Sequence, residues 1–169
     1  MGAGKSTVAP RVAKRLQFES IDLDQEITTR LGMSVPAIFD VLGESVFREE
    51  EKRCLEEASL RSQIVVSLGG GTLTDHENLS LCLETGFLVY LKGSASFLAS
   101  RLSHSRQTRP LLFGSKGDML EGRELEARIQ HLLNEREMVY EKAHQSIEIN
   151  DVAATDVVRQ VLETIKRRG

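Results

Sequence analysis

The sequence predicts an α/β fold of three layers, α/β/α, in which helices flank a central parallel β-sheet. Its 169 residues suit one domain with a single core. Apolar residues make up 40% of the chain and charged residues 28%, a balance typical of globular proteins. Helical segments alternate with short β-branched runs, which is typical of parallel strands joined by crossover helices. We therefore interpret residues 1–169 as one domain.

The first half of the chain contains two predicted strands among four predicted helices. Apolar residues at helical spacing predict a first helix over residues 5–16. Gly32 ends the second helix, and Ser34 is a suitable N-cap for the third. The predicted elements are the helix 5–16, a strand 18–22, helices 23–31, 34–43 and 44–60, and a strand 64–67.

The second half repeats this alternation around one long loop. Asp75 is a suitable N-cap for a helix that reaches residue 84. Residues 103–120 have little periodicity, and their length predicts a mobile lid. The other predicted elements are strands 87–91 and 147–149 and helices 94–102, 122–141 and 156–167.

Composition and charge exclude several classes of function. The net charge of −3 argues against nucleic-acid binding, which usually needs a strongly basic face. No apolar run is long enough to span a membrane, and no signal peptide precedes the first helix. Cys54 and Cys82 lack metal-site spacing, and we interpret them as reduced core thiols. We expect a cytoplasmic monomer.

A phosphate-binding loop is indicated at the start of the chain. Residues 1–7 contain Gly-Lys-Ser directly before a helix, which matches the end of a G-x-x-x-x-G-K-[ST] loop. Small residues let backbone N–H groups surround phosphate oxygens, and the helix N-terminus favours an anion. The loop predicts ATP contacts from Gly2, Ala3, Gly4, Lys5, Ser6 and Thr7. Lys5 supplies charge at the β- and γ-phosphates, and Ser6 is a predicted Mg²⁺ ligand.

The loop pattern is incomplete within this sequence. Its first Gly, and the strand that leads into it, would fall before Met1. One hypothesis, which we favour, is that Met1 is an internal start within a longer reading frame. The alternative is a short form that is inactive or poorly folded, because an absent central strand would leave buried backbone groups unpaired.

Two carboxylates follow the predicted strand 18–22. Asp22 and Asp24 lie where parallel strands present their carboxyl ends to the ligand crevice. One of them is suited to hold Mg²⁺ through water, and the other to meet a hydroxyl and accept its proton. The alternative is that one Asp merely caps the next helix.

Taken together, these motifs resemble the shikimate kinases, in order and in spacing, over nearly the whole chain. The matching segments are Gly-Ala-Gly-Lys-Ser-Thr at 2–7, Ile-Asp-Leu-Asp at 21–24, Phe47-Arg48, Gly69-Gly70-Gly71, Arg109-Pro110-Leu111-Leu112, and Arg136 with Tyr140. The resemblance implies a P-loop kinase fold related to nucleoside monophosphate kinases. It also implies ATP and Mg²⁺ as co-substrate and cofactor, and shikimate as the small-molecule substrate.

The resemblance also assigns roles to individual residues. Asp22 would assist Mg²⁺ through water, and Asp24 would orient or deprotonate the attacked hydroxyl. Arg48 and Arg136 would clamp the shikimate carboxylate, a role that the planar fork of arginine suits. Gly69, Gly70 and Gly71 would approach the substrate ring through their backbone. Arg109 would reach from the lid to the transferring phosphate.

Two alternatives remain open. The first is another small-metabolite kinase of the same fold, such as a gluconate kinase, although a neutral sugar would not need two arginines. The second is a non-catalytic relative that binds a nucleotide or a partner protein. Charged runs are usually solvated helix faces, so Arg48 beside three glutamates has that simpler interpretation as well.

Overall fold

The computed structural model describes residues 1–103, 112 and 119–168, the last without its side chain. Arg109 and most of the predicted lid lie outside these residues. The first half contains α1 (Lys5–Leu16), β1 (Glu19–Asp22), α2 (Leu23–Leu31), α3 (Val35–Val41), α4 (Glu44–Ser59) and β2 (Ile64–Ser67). It is followed by a 3₁₀ turn (Thr72–Thr74), α5 (His76–Thr85), β3 (Val89–Lys92), α6 (Ala95–Ser103), α7 (Gly122–Tyr140), β4 (Gln145–Glu148) and α8 (Ala154–Arg168).

The strands form two parallel pairs. β1 pairs with β2 so that Asp22 lies opposite Ser67, and β3 pairs with β4 so that Val89 lies opposite Gln145. The parallel strands agree with the predicted fold class, and among the described residues no strand bonds to both β2 and β3. These two strands instead line a common, largely apolar cavity of about 510 Å³, with Met1 on its wall.

Most element bounds agree with the sequence prediction. The helices 5–16 and 23–31 and the strand 64–67 are confirmed, and so are the N-caps Ser34 and Asp75. The other three strands are displaced by one to two residues, because partner register decides which residues enter a ladder. Phe18, for example, donates its N–H to Ala13 at the end of α1, so β1 begins at Glu19.

Two apolar clusters hold in place the elements that carry the predicted site residues. The larger joins α1, α6, α7, β4 and α8, and its fully buried members include Leu102, Leu125 and Ile149. The smaller joins α2, α3 and α4 around Leu23 and Ile38. Burial in the larger cluster fixes α1 and α7, which bear Lys5 and Arg136. Burial in the smaller cluster fixes α2 and α4, which bear Asp24 and Arg48.

Two further expectations concern the cysteines and the membrane. Cys54 and Cys82 both carry free thiols; Cys54 is buried, as predicted, whereas Cys82 is only partly buried. Among residues 1–103, 112 and 119–168, no helix is both long and apolar enough to cross a membrane.

Candidate active site

The phosphate-binding loop turns into α1 at Gly4. This residue is the N-cap and has φ 84°, a left-handed conformation that glycine adopts without steric cost. Its carbonyl accepts the N–H groups of Thr7 and Val8, which closes the first helical turn. The loop borders a cavity of about 550 Å³, whose lining includes Lys5 and Asp24. The positive end of a helix and an ammonium group therefore meet one cavity.

Oxygen atoms suited to a divalent cation lie at the mouth of this cavity. Ser6 donates a hydrogen bond from Oγ to Oδ2 of Asp22 over 3.1 Å. The other oxygen of Asp22 accepts the N–H of Gln25, so this residue also caps α2. In the part of the chain that the structure describes, no three His, Cys, Asp or Glu side chains gather to hold a metal ion. A cation here would take its remaining ligands from phosphate and water, which is the habit of Mg²⁺.

Asp24 faces the glycine loop that follows β2. A Cβ atom built on Gly69 would lie 3.0 Å from Oδ1 of Asp24 and 2.7 Å from Oε1 of Glu51. Only glycine fits there without displacing a carboxylate. Two acidic side chains from α2 and α4 thus converge on one backbone position.

Arg48 lies against the same loop. A Cβ atom built on Gly71 would lie 2.7 Å from its Nη2 atom. Its guanidinium donates to Glu51 over 2.7 Å and to the exposed Glu44 over 3.0 Å. Burial alone would lower the pKa of Arg48, but the hydrogen bonds and charge of Glu51 and Glu44 raise it above its ordinary value. The side chain therefore stays cationic at every physiological pH.

Arg136 reaches the middle of the loop from α7. Its Nη1 atom donates to the Gly70 carbonyl over 2.9 Å, and the hydroxyl of Tyr140 donates to the same oxygen over 2.5 Å. Gly70 also lines the cavity that contains Lys5. Gly70 therefore connects Arg136 with the cavity of the phosphate-binding loop, which Asp24 also lines.

Comparison with known proteins identifies the family of the chain. The family model described as shikimate kinase matches residues 1–166. The chain belongs to the shikimate kinase family.

Individual relatives and solved structures support the assignment. The chain is 42% identical over 166 residues to a shikimate kinase of Chlorobaculum parvum, covering 98% of this chain and 88% of that protein. The shikimate kinase of Acinetobacter baumannii, solved in complex with shikimate, superposes with a TM-score of 0.89 at 33% identity over 99% of this chain and 89% of that one. The enzyme of Bacteroides thetaiotaomicron also gives 0.89, at 30% identity, over 98% and 94% of the two chains.

Family membership indicates which ligands the residues around the phosphate-binding loop should fit. Shikimate kinases are ATP-dependent kinases that use Mg²⁺. The oxygen donors of Ser6 and Asp22 fit such a metal, and Lys5 at a helix N-terminus fits a polyphosphate. The fold of this family is the P-loop kinase fold that the sequence predicts.

The structure places Asp24, Arg48 and Arg136 around the glycine loop 69–71. The cavity beside the phosphate-binding loop is lined by Gly2, Gly4, Lys5, Ser6, Thr7, Asp22, Asp24 and Gly70, whereas Ala3 lines the apolar cavity. Arg109 lies outside the described residues.

Sequence reasoning missed Glu51 and Thr72, and it named Tyr140 without assigning it a contact. Thr72 is fully buried and donates to Oε1 of Glu51 over 2.6 Å. A signal for Glu51 existed, because it shares the helical face of the buried Phe47 and Cys54. An acidic residue on an apolar face predicts a paired, buried carboxylate.

Proposed function

We propose that this chain transfers the γ-phosphoryl group of ATP to a hydroxyl of shikimate, giving 3-phosphoshikimate and ADP, a step toward chorismate and the aromatic amino acids. The single observation that carries the proposal is the glycine loop 69–71. Its three residues contact Asp24, Arg136 and Arg48 in turn, and it borders the cavity of the phosphate-binding loop. Anion-binding and hydroxyl-binding groups therefore lie within reach of the phosphate site.

On the nucleotide side, backbone N–H groups of residues 2–7 surround the phosphates and Lys5 neutralises charge at the β- and γ-phosphates. Ser6 contributes an oxygen ligand to Mg²⁺, and Asp22 contributes through water. Bound in this way, the metal would offset charge on the phosphate oxygens during transfer. Arg109, which lies outside the described residues, is predicted to add a further positive charge.

On the acceptor side, Arg48 and Arg136 hold the carboxylate of shikimate, and the glycine loop leaves room for its ring. Asp24 orients the attacked hydroxyl and takes its proton as the oxygen–phosphorus bond forms. The bond from the γ-phosphorus to its bridging oxygen breaks in the same step, and ADP leaves. The proximity of Asp24 to Gly69 supports its position beside the substrate ring.

The direct test is an ADP-release assay of the chain with shikimate, gluconate and AMP as acceptors. We expect ADP release with shikimate alone, matched mole for mole by 3-phosphoshikimate in mass spectrometry. Equal turnover of gluconate would favour the neutral-sugar kinase and contradict a two-arginine clamp. Binding of ATP without turnover of any acceptor would favour a non-catalytic relative.

We further propose that the enzyme acts as a cytoplasmic monomer on its small-molecule substrate, without nucleic-acid or membrane partners. The net charge of −3 supports the absence of a nucleic-acid surface. Light scattering during gel filtration tests the monomer, and a mass of twice 18.8 kDa would contradict it.

A further inference from the structure

The carbonyl of Gly70 is the meeting point of two side chains from α7. Arg136 and Tyr140 are four residues apart on that helix and therefore project from the same face. Both donate to the Gly70 oxygen, over 2.9 Å and 2.5 Å. A carbonyl oxygen has two lone pairs, so these two donors satisfy it completely.

Tyr140 is itself held from a third direction. Its ring lies 5.0 Å from that of Tyr90 on β3, centroid to centroid, at an interplanar angle of 38°. Beside it, Lys92 of β3 lies 3.6 Å from a carboxylate oxygen of Glu137 and 3.8 Å from one of Glu141. These contacts fix the end of α7 against β3, and they bring the Tyr140 hydroxyl to the loop after β2.

We infer that Tyr140 is a positioning residue for the acceptor site, acting through the Gly70 carbonyl on the guanidinium of Arg136. The inference rests on the proposed function, since it concerns the group that holds the shikimate carboxylate. Three successive glycines have little intrinsic preference for one backbone conformation. The Tyr140 hydroxyl holds the Gly70 carbonyl in the orientation that accepts Arg136, and the guanidinium has further N–H groups with which to meet a carboxylate.

A purely structural role makes a different prediction. If Tyr140 served only to hold α7 in place, loss of its hydroxyl would lower stability and would not raise the KM for shikimate in particular. Tyr90 offers a matched control, because it shares the same ring contact, while the side chains that donate to the Gly70 oxygen among residues 1–103, 112 and 119–168 are Arg136 and Tyr140. Tyr140→Phe and Tyr90→Phe each remove one hydroxyl and keep both rings.

The kinetic test compares these two variants with the unmodified chain. For Tyr140→Phe we expect the KM for shikimate to rise about fivefold, the worth of one ordinary hydrogen bond, with the KM for ATP unchanged. For Tyr90→Phe we expect neither KM to change. An unchanged shikimate KM in Tyr140→Phe, or an equal rise in both KM values, would overturn the inference.

A double-mutant comparison tests the route through Arg136. If Tyr140 acts by orienting that guanidinium, Tyr140→Phe should have little further effect on the shikimate KM once Arg136→Lys has removed the guanidinium. The effects of the two substitutions will then not multiply. Fully multiplicative effects would show that Tyr140 acts elsewhere and would overturn the inference.

A spectroscopic readout separates this inference from the proposed function. In ¹⁵N NMR of the chain without ligand, we expect a sharp Arg136 Nε–H signal in the unmodified protein and in Tyr90→Phe, and a broadened or shifted one in Tyr140→Phe. If the chain failed to phosphorylate shikimate but showed this pattern, the proposed function would fail and the positioning role would stand. An Arg136 signal unchanged in Tyr140→Phe would overturn the positioning role whatever the activity.

Discussion

Arg48 donates a hydrogen bond from Nη1 to Oε2 of Glu51 over 2.7 Å, and the Glu51 side chain is only 1% exposed. A buried carboxylate is costly unless its charge is paired and its oxygens accept hydrogen bonds. Thr72 satisfies the other oxygen of Glu51 over 2.6 Å. Glu51 therefore links the arginine of the acceptor site to the turn that follows the glycine loop.

Replacement of Glu51 by Gln should weaken both stability and substrate binding. The amide keeps an acceptor for Thr72 but presents no negative charge to Arg48, so we expect a loss of about 2 kcal/mol in the free energy of unfolding. We also expect a rise in the KM for shikimate of about tenfold, because Arg48 loses the contact that orients it. Urea denaturation and steady-state kinetics measure the two effects.

Glu44→Gln is the matched control for that variant. Glu44 also pairs with Arg48, but its side chain is 57% exposed. Exposed pairs contribute little, so we expect a change in stability of less than about 0.5 kcal/mol. Equal losses in the two variants would contradict the importance of the buried partner.

The glycine loop should respond to alanine in two distinct ways. In Gly71→Ala the new Cβ atom meets the guanidinium of Arg48, the far end of a flexible side chain, so we expect a higher KM for shikimate and a small fall in Tm. In Gly69→Ala it meets the buried Glu51 at 2.7 Å, so we expect a larger fall in Tm. Thermal unfolding and kinetics at saturating ATP distinguish these outcomes.

Gly86→Ala provides a reference for the loss of backbone freedom alone. Its Cβ atom would make an ordinary contact of 3.4 Å with the Cys82 carbonyl, far from the site in sequence. Kinetic constants like those of the unmodified protein are expected. The steric argument would be wrong if Gly71→Ala behaved in the same way.

Removal of either oxygen donor near the phosphate loop should weaken use of Mg²⁺. For Ser6→Ala and Asp22→Asn we expect the Mg²⁺ concentration for half-maximal rate to rise by about tenfold or more at fixed ATP. Excess Mg²⁺ should restore part of the rate. Asp40→Asn, which removes an exposed carboxylate on α3, should leave the Mg²⁺ concentration for half-maximal rate unchanged. A rise of that concentration in Asp40→Asn would indicate a general effect of charge.

Cys82 should react slowly with thiol reagents in the folded protein. Burial raises its pKa to about 11, whereas an unfolded thiol titrates near 8.5. At pH 8 the folded protein therefore holds roughly two hundredfold less Cys82 thiolate, the reactive form. The unfolded state loses this proton first, so the contribution to stability falls as pH rises from about 8.5 toward 11.

Mass-spectrometric mapping after brief alkylation measures this difference, with the same reaction in urea as the reference. We expect Cys82 to be modified promptly in urea and slowly without it. Rapid modification of Cys82 in the native protein would contradict its burial among the side chains of the smaller cluster.

Local signals in the sequence determined the helices well. The caps at Ser34 and Asp75 and the stop at Gly32 depend on residues within a few positions, and the structure confirms each of them. Strand ends were less well predicted, because a ladder is set by a partner far along the chain. Ile149 is apolar and buried, yet it lies just beyond β4, whose pairing with β3 ends at Glu148.

The sequence by itself determined the family, the α/β class and the residue types needed to bind phosphate, metal and an anionic acceptor. Only the tertiary structure decided how these groups meet, namely that Gly69, Gly70 and Gly71 receive Asp24, Arg136 and Arg48 respectively. It also revealed the pairing of Glu51 with Thr72 and of Tyr140 with Gly70, residues that lie 21 and 70 positions apart in the chain. Contacts over such distances arise from the packing of whole helices, which no local sequence pattern specifies.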